Sequence, residues 1–434
     1  MRMVVIGLGY LGATHAACMA ELGHEVLGVE VDDRRRGMLA NGTVPFYEPG
    51  LAELLTTHLA SGRLTISGSY EQAVEWADVF FIAVGTPQKK GEYSADLSYI
   101  DDAIYSLASQ LLRDALIIGK STVPVGTCSR LAQMADNVSK EGLTVEVAWN
   151  PEFLREGHAI DDTLRPDRLV LGADPAGCAE SVVREIYSQT ISDGTPFLTM
   201  DTASAEMVKV AANSFLATKI SFINAIAEVC EVAGADVTAV ADAIGYDERI
   251  GRRFLNAGLG FGGGCLPKDI RAFMARAGEL GAAEALAFLR EVDNVNMRRR
   301  NRMVDVTRKA CGGSVLGTRI AVLGAAFKPG SDDVRDSPAL NVAGQLQLQG
   351  GSVVVYDPKA RASSEILFPT LEYADGVPEA CEDADIVLVL TEWDEFRNLQ
   401  PEKLASSVRG KIVVDGRNCL EAEAWQRAGW KFLR

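Results

Sequence analysis

The sequence predicts an α/β fold in which two doubly wound, Rossmann-like domains are joined by a central helical domain with a long helix. Three observations predict it. At the start, the apolar strand Val4 to Gly9 runs into Gly7-x-Gly9-x-x-Gly12 and then into a helical stretch, Ala13 to Leu22. Towards the end, Arg319-Ile320-Ala321-Val322-Leu323-Gly324 repeats the opening strand, Val353-Val354-Val355-Tyr356-Asp357 repeats the second, and Ala384 to Leu390 repeats Ala77 to Ala83. Between them, Ala203 to Ala233 reads as one long helix, apolar over most of its circumference and broken by Lys209, Asn213, Lys219 and Asn224. Such a helix is buried, by its own domains or by another subunit. A second long helix, roughly Ala282 to Cys311, leads into the last domain. The domains are expected at residues 1–200, 201–312 and 313–434.

A chain of 434 residues is too long for one ordinary core, and 47% hydrophobic with 24% charged residues is the composition of an ordinary globular protein. The formal net charge of −16 argues against a nucleic-acid partner. The run Arg298-Arg299-Arg300 lies in a helical stretch and reads as a solvated helix face. No apolar run is long enough to span a bilayer, and Met3-Val4-Val5-Ile6 begins a strand where a secretory signal would sit. Eight scattered cysteines without a Cys-x-x-Cys pair point away from zinc sites and disulfides and towards a reducing cytoplasm.

In the first domain the second strand, Glu25 to Val31, carries Glu30, eighteen positions after Gly12. Strand, glycine turn, helix and carboxylate in this order predict a dinucleotide site. Gly7, Gly9 and Gly12 admit the pyrophosphate to the helix N-terminus, and Glu30 takes the ribose hydroxyls. Glu30 would repel a 2′-phosphate, which predicts NAD rather than NADP. Further strands, Val79 to Val84 and Leu116 to Gly119, lead into Gly85-Thr86-Pro87 and Ser121-Thr122-Val123-Pro124, where an open parallel sheet binds ligands. The last domain lacks the glycine fingerprint. In its place stand Phe327-Lys328-Pro329-Gly330 and Asp332-Asp333-x-Arg335, which predict a different phosphate-bearing ligand held by side-chain cations.

The middle of the chain holds Gly260-Phe261-Gly262-Gly263-Gly264-Cys265-Leu266-Pro267-Lys268-Asp269. Pro267 suits the first helical position and Asp269 to Leu280 reads as helix. That sets Cys265 beside a helix N-terminus, where unpaired N–H groups and Lys268 favour thiolate. A glycine cluster lets backbone approach a ligand closely and has no packing value of its own, which reads Cys265 as a nucleophile rather than a packed cysteine. Lys209 and Asn213, four apart on the long helix, leave the same face, as a satisfied polar patch or as donors aimed at an oxyanion. Pro151-Glu152-Phe153-Leu154-Arg155-Glu156 reads as a helix start with Glu152 and Glu156 on one face, where carboxylates can be merely helix-stabilising.

Along essentially its whole length the chain resembles the UDP-glucose/GDP-mannose dehydrogenase family. The resemblance rests on Gly7-Leu8-Gly9-Tyr10-Leu11-Gly12, Lys120-Ser121-Thr122-Val123-Pro124-Val125-Gly126, Asn150-Pro151-Glu152-Phe153-Leu154-Arg155-Glu156-Gly157, Lys209-x-x-x-Asn213, the Gly260 to Asp269 segment and Phe327-Lys328-Pro329. Two positions depart from the family's habit: its ribose acid is usually Asp and is Glu30 here, and the residue before its cysteine is often Ser and is Gly264 here. Ile244 to Gly251 and Phe254-Leu255-Asn256-Ala257-Gly258 look like the branch that acts on UDP-glucose, with TDP-glucose or GDP-mannose as the alternative substrate.

The resemblance implies a four-electron oxidation of the sugar C6 alcohol to a carboxylate, UDP-glucose to UDP-glucuronate, with two NAD+ and no metal. Lys209 and Asn213 would stabilise the negative oxygen, and Cys265 would add to the aldehyde and carry a thiohemiacetal and then a thioester. Glu152 and Asp269, with Thr122, are the family's candidates for handling the hydrolytic water. For NAD the resemblance implies Tyr10, Leu11, Arg35, Gly85, Thr86, Pro87, Ser121, Thr122, Glu156, Lys268 and Arg335 beside the three glycines and Glu30. For the nucleotide sugar it implies Glu152, Phe153, Leu154, Arg155, Lys209, Asn213, Phe254, Asn256, Gly260, Phe261, Gly262 and Phe327. Its pyrophosphate would meet Lys328, Arg417 and Arg249. In the family the residue matching Arg249 reaches the site of a neighbouring subunit, so a homodimer is expected. Two other readings compete. A two-electron NAD-dependent hydroxyacid dehydrogenase would need neither Cys265 nor the second nucleotide-type domain, and the intact Cys265, Lys209 and Asn213 argue against a non-catalytic nucleotide-sugar sensor.

Overall fold

The computed structural model describes all 434 residues, Met1–Arg434. Contacts divide the chain into two compact units, Met1–Ala212 with Arg271–Gly281 and Asn213–Ile270 with Ala282–Arg434. Two of the three divisions fall inside helices, Thr202–Ala233 and Leu266–Glu279, and the third falls after the second of these, between Gly281 and Ala282.

In the first unit the strands are β1 (Arg2–Ile6), β2 (Glu25–Val29), β3 (Leu64–Ser67), β4 (Val79–Ile82), β5 (Ala115–Gly119), β6 (Val145–Trp149), β7 (Leu169–Gly172) and β8 (Phe197–Met200). They form one sheet in the order β3-β2-β1-β4-β5-β6-β7-β8, parallel throughout except between β6 and β7. Apolar clusters cover both faces: Met3 and Val5 enter one, Val4 and Ile6 the other, so β1 reads as a continuous apolar run rather than an alternating one. Strand order reverses between β1 and β4, which opens a crevice at their carboxyl ends. The turn there is closed by glycine. A Cβ on Gly7, whose φ is +86°, would lie 2.7 Å from Val84 Cγ1, and one on Gly12 would lie 1.8 Å from the Gly7 carbonyl oxygen.

In the second unit β9 (Arg319–Leu323), β10 (Ser352–Tyr356), β11 (Glu372–Tyr373), β12 (Ile386–Val389), β13 (Ile412–Asp415) and β14 (Lys431–Leu433) form a parallel sheet in the order β11-β10-β9-β12-β13-β14. This repeats the order of the first six strands, and the expected fold class is the observed one. The missing glycine fingerprint has a structural counterpart in Asp357, directly after β10 as Glu30 is after β2. One Asp357 carboxylate oxygen accepts the N–H groups of Ala325 at 2.8 Å and Ala326 at 2.9 Å, and the other accepts those of Lys359 and Ala360. The carboxylate is thus filled by its own chain.

Several local expectations need correction. Pro151 to Glu156 is not a helix start: the segment is irregular and the next helix, Ala159–Leu164, begins after Gly157. The Glu152 carboxylate instead accepts the N–H groups of Phe153 at 2.6 Å and Leu154 at 2.8 Å, which folds the chain into a turn. The helix after Cys265 starts at Leu266, not Asp269, and the last long helix is Ala287–Ala310, preceded by a 3-10 turn at Ala283–Leu286. Arg298-Arg299-Arg300 is not a solvated face, because Arg299 and Arg300 are buried. The central helix Thr202–Ala233 is not buried all round within the chain: Phe215, Phe222 and Val229, spaced by seven, are 65%, 51% and 63% exposed. No helix is long and apolar enough to cross a membrane.

Glu206, buried near the start of the central helix, closes another helix. The N-cap of Thr127–Val138 is Gly126, which has no side chain, and the Glu206 carboxylate accepts the N–H groups of Gly126 at 2.7 Å and Cys128 at 2.6 Å. Burial raises its pKa above the usual 4.5 despite these bonds and the nearby Arg276. Glu206→Ala is expected to lower stability by about 1–3 kcal/mol for each N–H left unsatisfied, read by denaturant unfolding. Between pH 4.5 and the raised folded value the folded chain binds more protons than the unfolded one, so this group's contribution falls as pH rises. Glu206→Gln should remove that decline, and an unchanged stability–pH slope there would contradict it.

Candidate active site

The first unit carries a cradle for a dinucleotide. The helix Tyr10–Glu21 follows Gly9 directly and has no side-chain N-cap and no acidic residue in its first turn. Nothing lies within 4 Å of a Cβ added at Gly9 or Gly85. An uncapped helix N-terminus facing open space fits the pyrophosphate of NAD. Glu30 is buried, and its carboxylate accepts N–H groups of Leu8 at 3.1 Å and Asp32 at 3.0 Å. Arg35 is brought to it, with Nη1 at 3.2 Å from Glu30 Oε2. Thr86 and Ser121 tie the strand-end loops together, the Thr86 hydroxyl donating to the Thr122 carbonyl at 2.7 Å and the Ser121 hydroxyl to the Val84 carbonyl at 2.6 Å. Pro87 is exposed beside them, Leu11 is half-buried against the core, and Glu156 is buried.

Tyr10, at the start of the Tyr10–Glu21 helix, is engaged by Glu48. Its hydroxyl donates to Glu48, and the same carboxylate accepts the N–H groups of Gly157 at 2.6 Å and Ala159 at 2.7 Å. Burial, reinforced by Glu48, raises the Tyr10 pKa. Glu48 therefore closes the Ala159–Leu164 helix from more than a hundred residues away, a role with no local signal in the sequence.

A second cluster in this unit centres on Lys120, buried at the end of β5. Its ammonium donates to Asn150 Oδ1 at 2.8 Å and lies 3.4 Å from Glu152 Oε2 and from the Tyr187 hydroxyl. Burial works against the Lys120 charge, but the Tyr187 oxygen and the Glu152 carboxylate outweigh it and raise the pKa. The sequence reading placed Lys120 in the Lys120 to Gly126 segment without a role of its own, although a lysine closing a fully apolar strand was itself a signal. Nearby, Lys209 stands 5.3 Å and Arg168 4.0 Å from the centre of the Phe153 ring, and Leu154 is half-buried. Arg155 is committed to Asp162 through its backbone N–H, Nε and Nη2.

The second unit brings together Cys265, Asn213, Lys268 and Asp269. Cys265 is exposed, and its carbonyl accepts the Asp269 N–H at 2.9 Å, which makes it the N-cap of Leu266–Glu279. The Asp269 carboxylate, buried, receives Asn213 Nδ2 at 2.6 Å on one oxygen and Lys268 Nζ at 2.6 Å on the other. Asn213 and Lys268 thus both lead to Asp269.

The glycines before Cys265 have a reason the sequence did not reveal. A Cβ on Gly260 would meet Asn296 Oδ1 at 2.3 Å, on Gly262 the Asp336 carbonyl at 2.4 Å, on Gly263 the Phe327 ring at 2.8 Å, and on Gly264 the Arg335 guanidinium at 2.2 Å. The cluster is pressed against its own chain, so the expectation that it had no packing value is overturned. Gly264, in place of the serine common in the family, sits under Arg335, which pairs with Asp333.

Buried polar side chains hold this loop by its backbone. Asn224 accepts the Gly258 N–H at 2.8 Å and Arg299 donates to the Gly258 carbonyl at 3.0 Å. Asn296 accepts the Phe261 N–H at 2.7 Å and donates to the Phe261 carbonyl at 3.0 Å, where Arg300 joins at 3.3 Å. Arg417 spans three loops, donating to the carbonyls of Leu390 at 2.8 Å, Gly260 at 3.0 Å and Phe327 at 3.1 Å, with Glu392 3.3 Å away. Lys328 lies 5.4 Å from the Phe327 ring centre. Phe254 takes a left-handed φ of +67°, and Asn256 accepts from Arg252. Arg249 pairs with the adjacent Asp247 and its side chain remains 89% exposed. Asn296, Arg299 and Arg300 were missed as a group. Their signal was positional, since they interrupt the buried stripe Leu289, Val292, Met303 and Val304 of one helix.

Three segments of the chain match the UDP-glucose/GDP-mannose dehydrogenase family: residues 1–191 its NAD binding domain, 203–298 its central domain and 321–422 its UDP binding domain. The UDP-glucose 6-dehydrogenase TuaD of Bacillus subtilis is 42% identical over 431 residues, 99% of this chain and 92% of that protein. The UDP-glucose 6-dehydrogenase of Rhizobium meliloti is 40% identical over 433 residues, 100% of this chain and 98% of that protein. A solved UDP-glucose dehydrogenase from the hyperthermophilic archaeon Pyrobaculum islandicum matches with a TM-score of 0.90 at 38% identity, covering 98% of this chain and 95% of that one. The chain therefore belongs to the UDP-glucose/GDP-mannose dehydrogenase family and is an NAD-dependent oxidoreductase with a nucleotide-sugar substrate.

Proposed function

We propose that the protein oxidises UDP-glucose to UDP-glucuronate through a thioester on Cys265. The observation that carries this reading is an exposed cysteine at a helix N-cap, one turn from a carboxylate held by Asn213 and Lys268. The names of the relatives support UDP-glucose as the sugar nucleotide. Bound NAD+ supplies a hydride acceptor for each of the two oxidations. In the first, the C6 hydroxyl loses its proton to a base and C6 loses hydride, with Lys209 and Asn213 as donors to the negative oxygen. The Cys265 thiolate then forms an S–C6 bond with the aldehyde, whose carbonyl pair becomes an alkoxide. Collapse of that alkoxide expels the second hydride and leaves the thioester. Water attacks, the C–S bond breaks, the thiolate is regenerated and the sugar leaves as carboxylate. Glu152, Asp269 and Thr122 are assigned to the water and its protons.

The remaining assignments follow the same reading. The cradle at Gly7, Gly9 and Gly12 takes the pyrophosphate of NAD, with Glu30 on the ribose and Tyr10, Leu11, Arg35, Gly85, Thr86, Pro87, Ser121, Thr122, Glu156, Lys268 and Arg335 around the cofactor. Lys328, Arg417 and Arg249 serve the pyrophosphate of the sugar nucleotide, and Phe153, Leu154, Arg155, Phe254, Asn256, Gly260, Phe261, Gly262 and Phe327 the rest of it. Arg417 also bridges three loops, so its loss would disturb their arrangement as well as charge. A homodimer is part of the proposal: the exposed Phe215, Phe222 and Val229 form a heptad-spaced apolar stripe that suits a second copy, and Arg249, although paired with Asp247, is 89% exposed and would exchange that partner to reach beyond its own chain.

Three measurements test this. The unmodified protein should form two NADH per UDP-glucose, and Cys265→Ser should give at most a slow stoichiometric oxidation without turnover, because serine is far less acidic than cysteine. One NADH per sugar with free aldehyde, or multiple turnover by Cys265→Ser, would sink the assignment. Glu30→Ala should raise the NAD+ requirement by about 1.5–3 kcal/mol, with little change for the sugar. Equal activity of the unmodified protein with NADP+ would contradict the role of Glu30. Sedimentation should give a dimer mass for the unmodified protein and a monomer mass for Phe222→Asp. An unmodified monomer at micromolar concentration rules the dimer out.

A further inference from the structure

We propose that Asn296 is a positioning residue for the Cys265 thiol, acting through the peptide of Phe261, an inference that rests on Cys265 being the nucleophile. Asn296 lies on the Ala287–Ala310 helix and is wholly buried. Both ends of its amide meet the backbone of one residue, in two successive peptide units: Oδ1 accepts the Phe261 N–H at 2.7 Å and Nδ2 donates to the Phe261 carbonyl at 3.0 Å. A side-chain amide supplies a donor and an acceptor at this spacing without a change of protonation. The loop packs closely on it, since Gly260 takes a φ of +96° and a Cβ there would meet Asn296 Oδ1 at 2.3 Å.

The position of this clamp in the chain gives it consequence. Between Phe261 and Cys265 stand Gly262, Gly263 and Gly264, which carry no side chains that could anchor the segment. Fixing a residue's backbone costs conformational entropy and glycine costs most, so three successive glycines hold their path only if both ends are fixed. The far end is the N-terminus of the Leu266–Glu279 helix. The near end is the Phe261 peptide, held by Asn296 with Arg300, which also binds Asp336 at 2.7 Å. Two contacts support the span between, Gly263 N–H to the Arg335 carbonyl at 2.9 Å and Gly264 N–H to Asp333 at 3.3 Å. Release of the near end lets the N-cap cysteine wander while the helix behind it persists. The step that suffers is thiol addition to the aldehyde, whereas the first hydride transfer does not involve the thiol.

The test is single-turnover oxidation of UDP-glucose by the full-length Asn296→Ala and Asn296→Asp variants beside the unmodified protein. NADH is counted per sugar consumed and aldehyde is trapped with hydroxylamine. In Asn296→Ala the ratio should fall from two towards one, with trapped aldehyde making up the difference, and turnover should drop by about 10²-fold, the scale for a misplacement of roughly 1 Å. Asn296→Asp keeps an acceptor for the Phe261 N–H and should fall between. A merely structural loss reduces the amount of competent enzyme and leaves the ratio at two. A ratio of two in the unmodified protein and in both variants overturns the proposal alone. A ratio of one in the unmodified protein overturns the functional reading and this proposal with it. If Asn296→Ala fails to fold, Asn296→Asp decides by the same ratio.

Discussion

Much of the second unit depends on one arrangement: polar side chains, buried where apolar ones would be the default, hold a glycine-rich backbone by its peptide groups. Asn224, Asn296, Arg299, Arg300 and Arg417 together engage Gly258, Gly260 and Phe261. An unpaired buried N–H or carbonyl costs about 1–3 kcal/mol, so each of these side chains fixes its loop partner as much as it stabilises it. The arrangement explains why the loop can do without side chains. Its glycines are required by close approach to Asn296, Asp336, Phe327 and Arg335, and its path is set from outside. Cys265 emerges from this frame exposed, on a backbone that is itself constrained.

The first unit applies the same physics to helix N-termini. Several helices lack a cap of their own and are closed by carboxylates distant in sequence: Glu206 serves Thr127–Val138, Glu48 serves Ala159–Leu164, and Glu146 accepts the N–H of Cys178 ahead of the Ala179–Ile186 helix. The helix after Gly9 receives no such carboxylate. Its N–H groups stay available at the strand-order switch, where a dinucleotide's pyrophosphate would complete them. In the C-terminal repeat the corresponding backbone is answered by Asp357 from within. In both copies the acid after the second strand accepts backbone N–H groups at the end of the first, but the helix that follows is uncapped after Gly9 and is capped by Ser337 in the C-terminal copy.

Two carboxylates of the candidate site are each held by donors of their own unit. Asp269 is balanced by Lys268 and Asn213, and Glu152 by Lys120 and two backbone N–H groups, so both carboxylates stand close to a compensating donor. These partners fix the orientation of each carboxylate. With a formal net charge of −16, the proposed contacts of Lys328 and Arg417 with an anionic sugar nucleotide rest on local positive charge within an acidic chain.

The sequence by itself determined the two parallel sheets, the long helix, the glycine turn with its acidic residue and the cysteine before a helix, because each is written in local periodicity or short motif spacing. Glu30 and Cys265 were legible for that reason. Only the tertiary structure decided what stands behind them. The glycines of the cysteine loop, read as room for a ligand, turned out to be pressed against Asn296 and its neighbours. Arg299 and Arg300, read as a solvated face, turned out to be buried partners of that loop. Glu48, Lys120 and Asn296 act on residues roughly thirty to a hundred positions away. Hydrogen bonds of that range leave no periodicity in either segment, since the need of a buried peptide group for a partner is fixed by where the chain folds and not by what lies next to it.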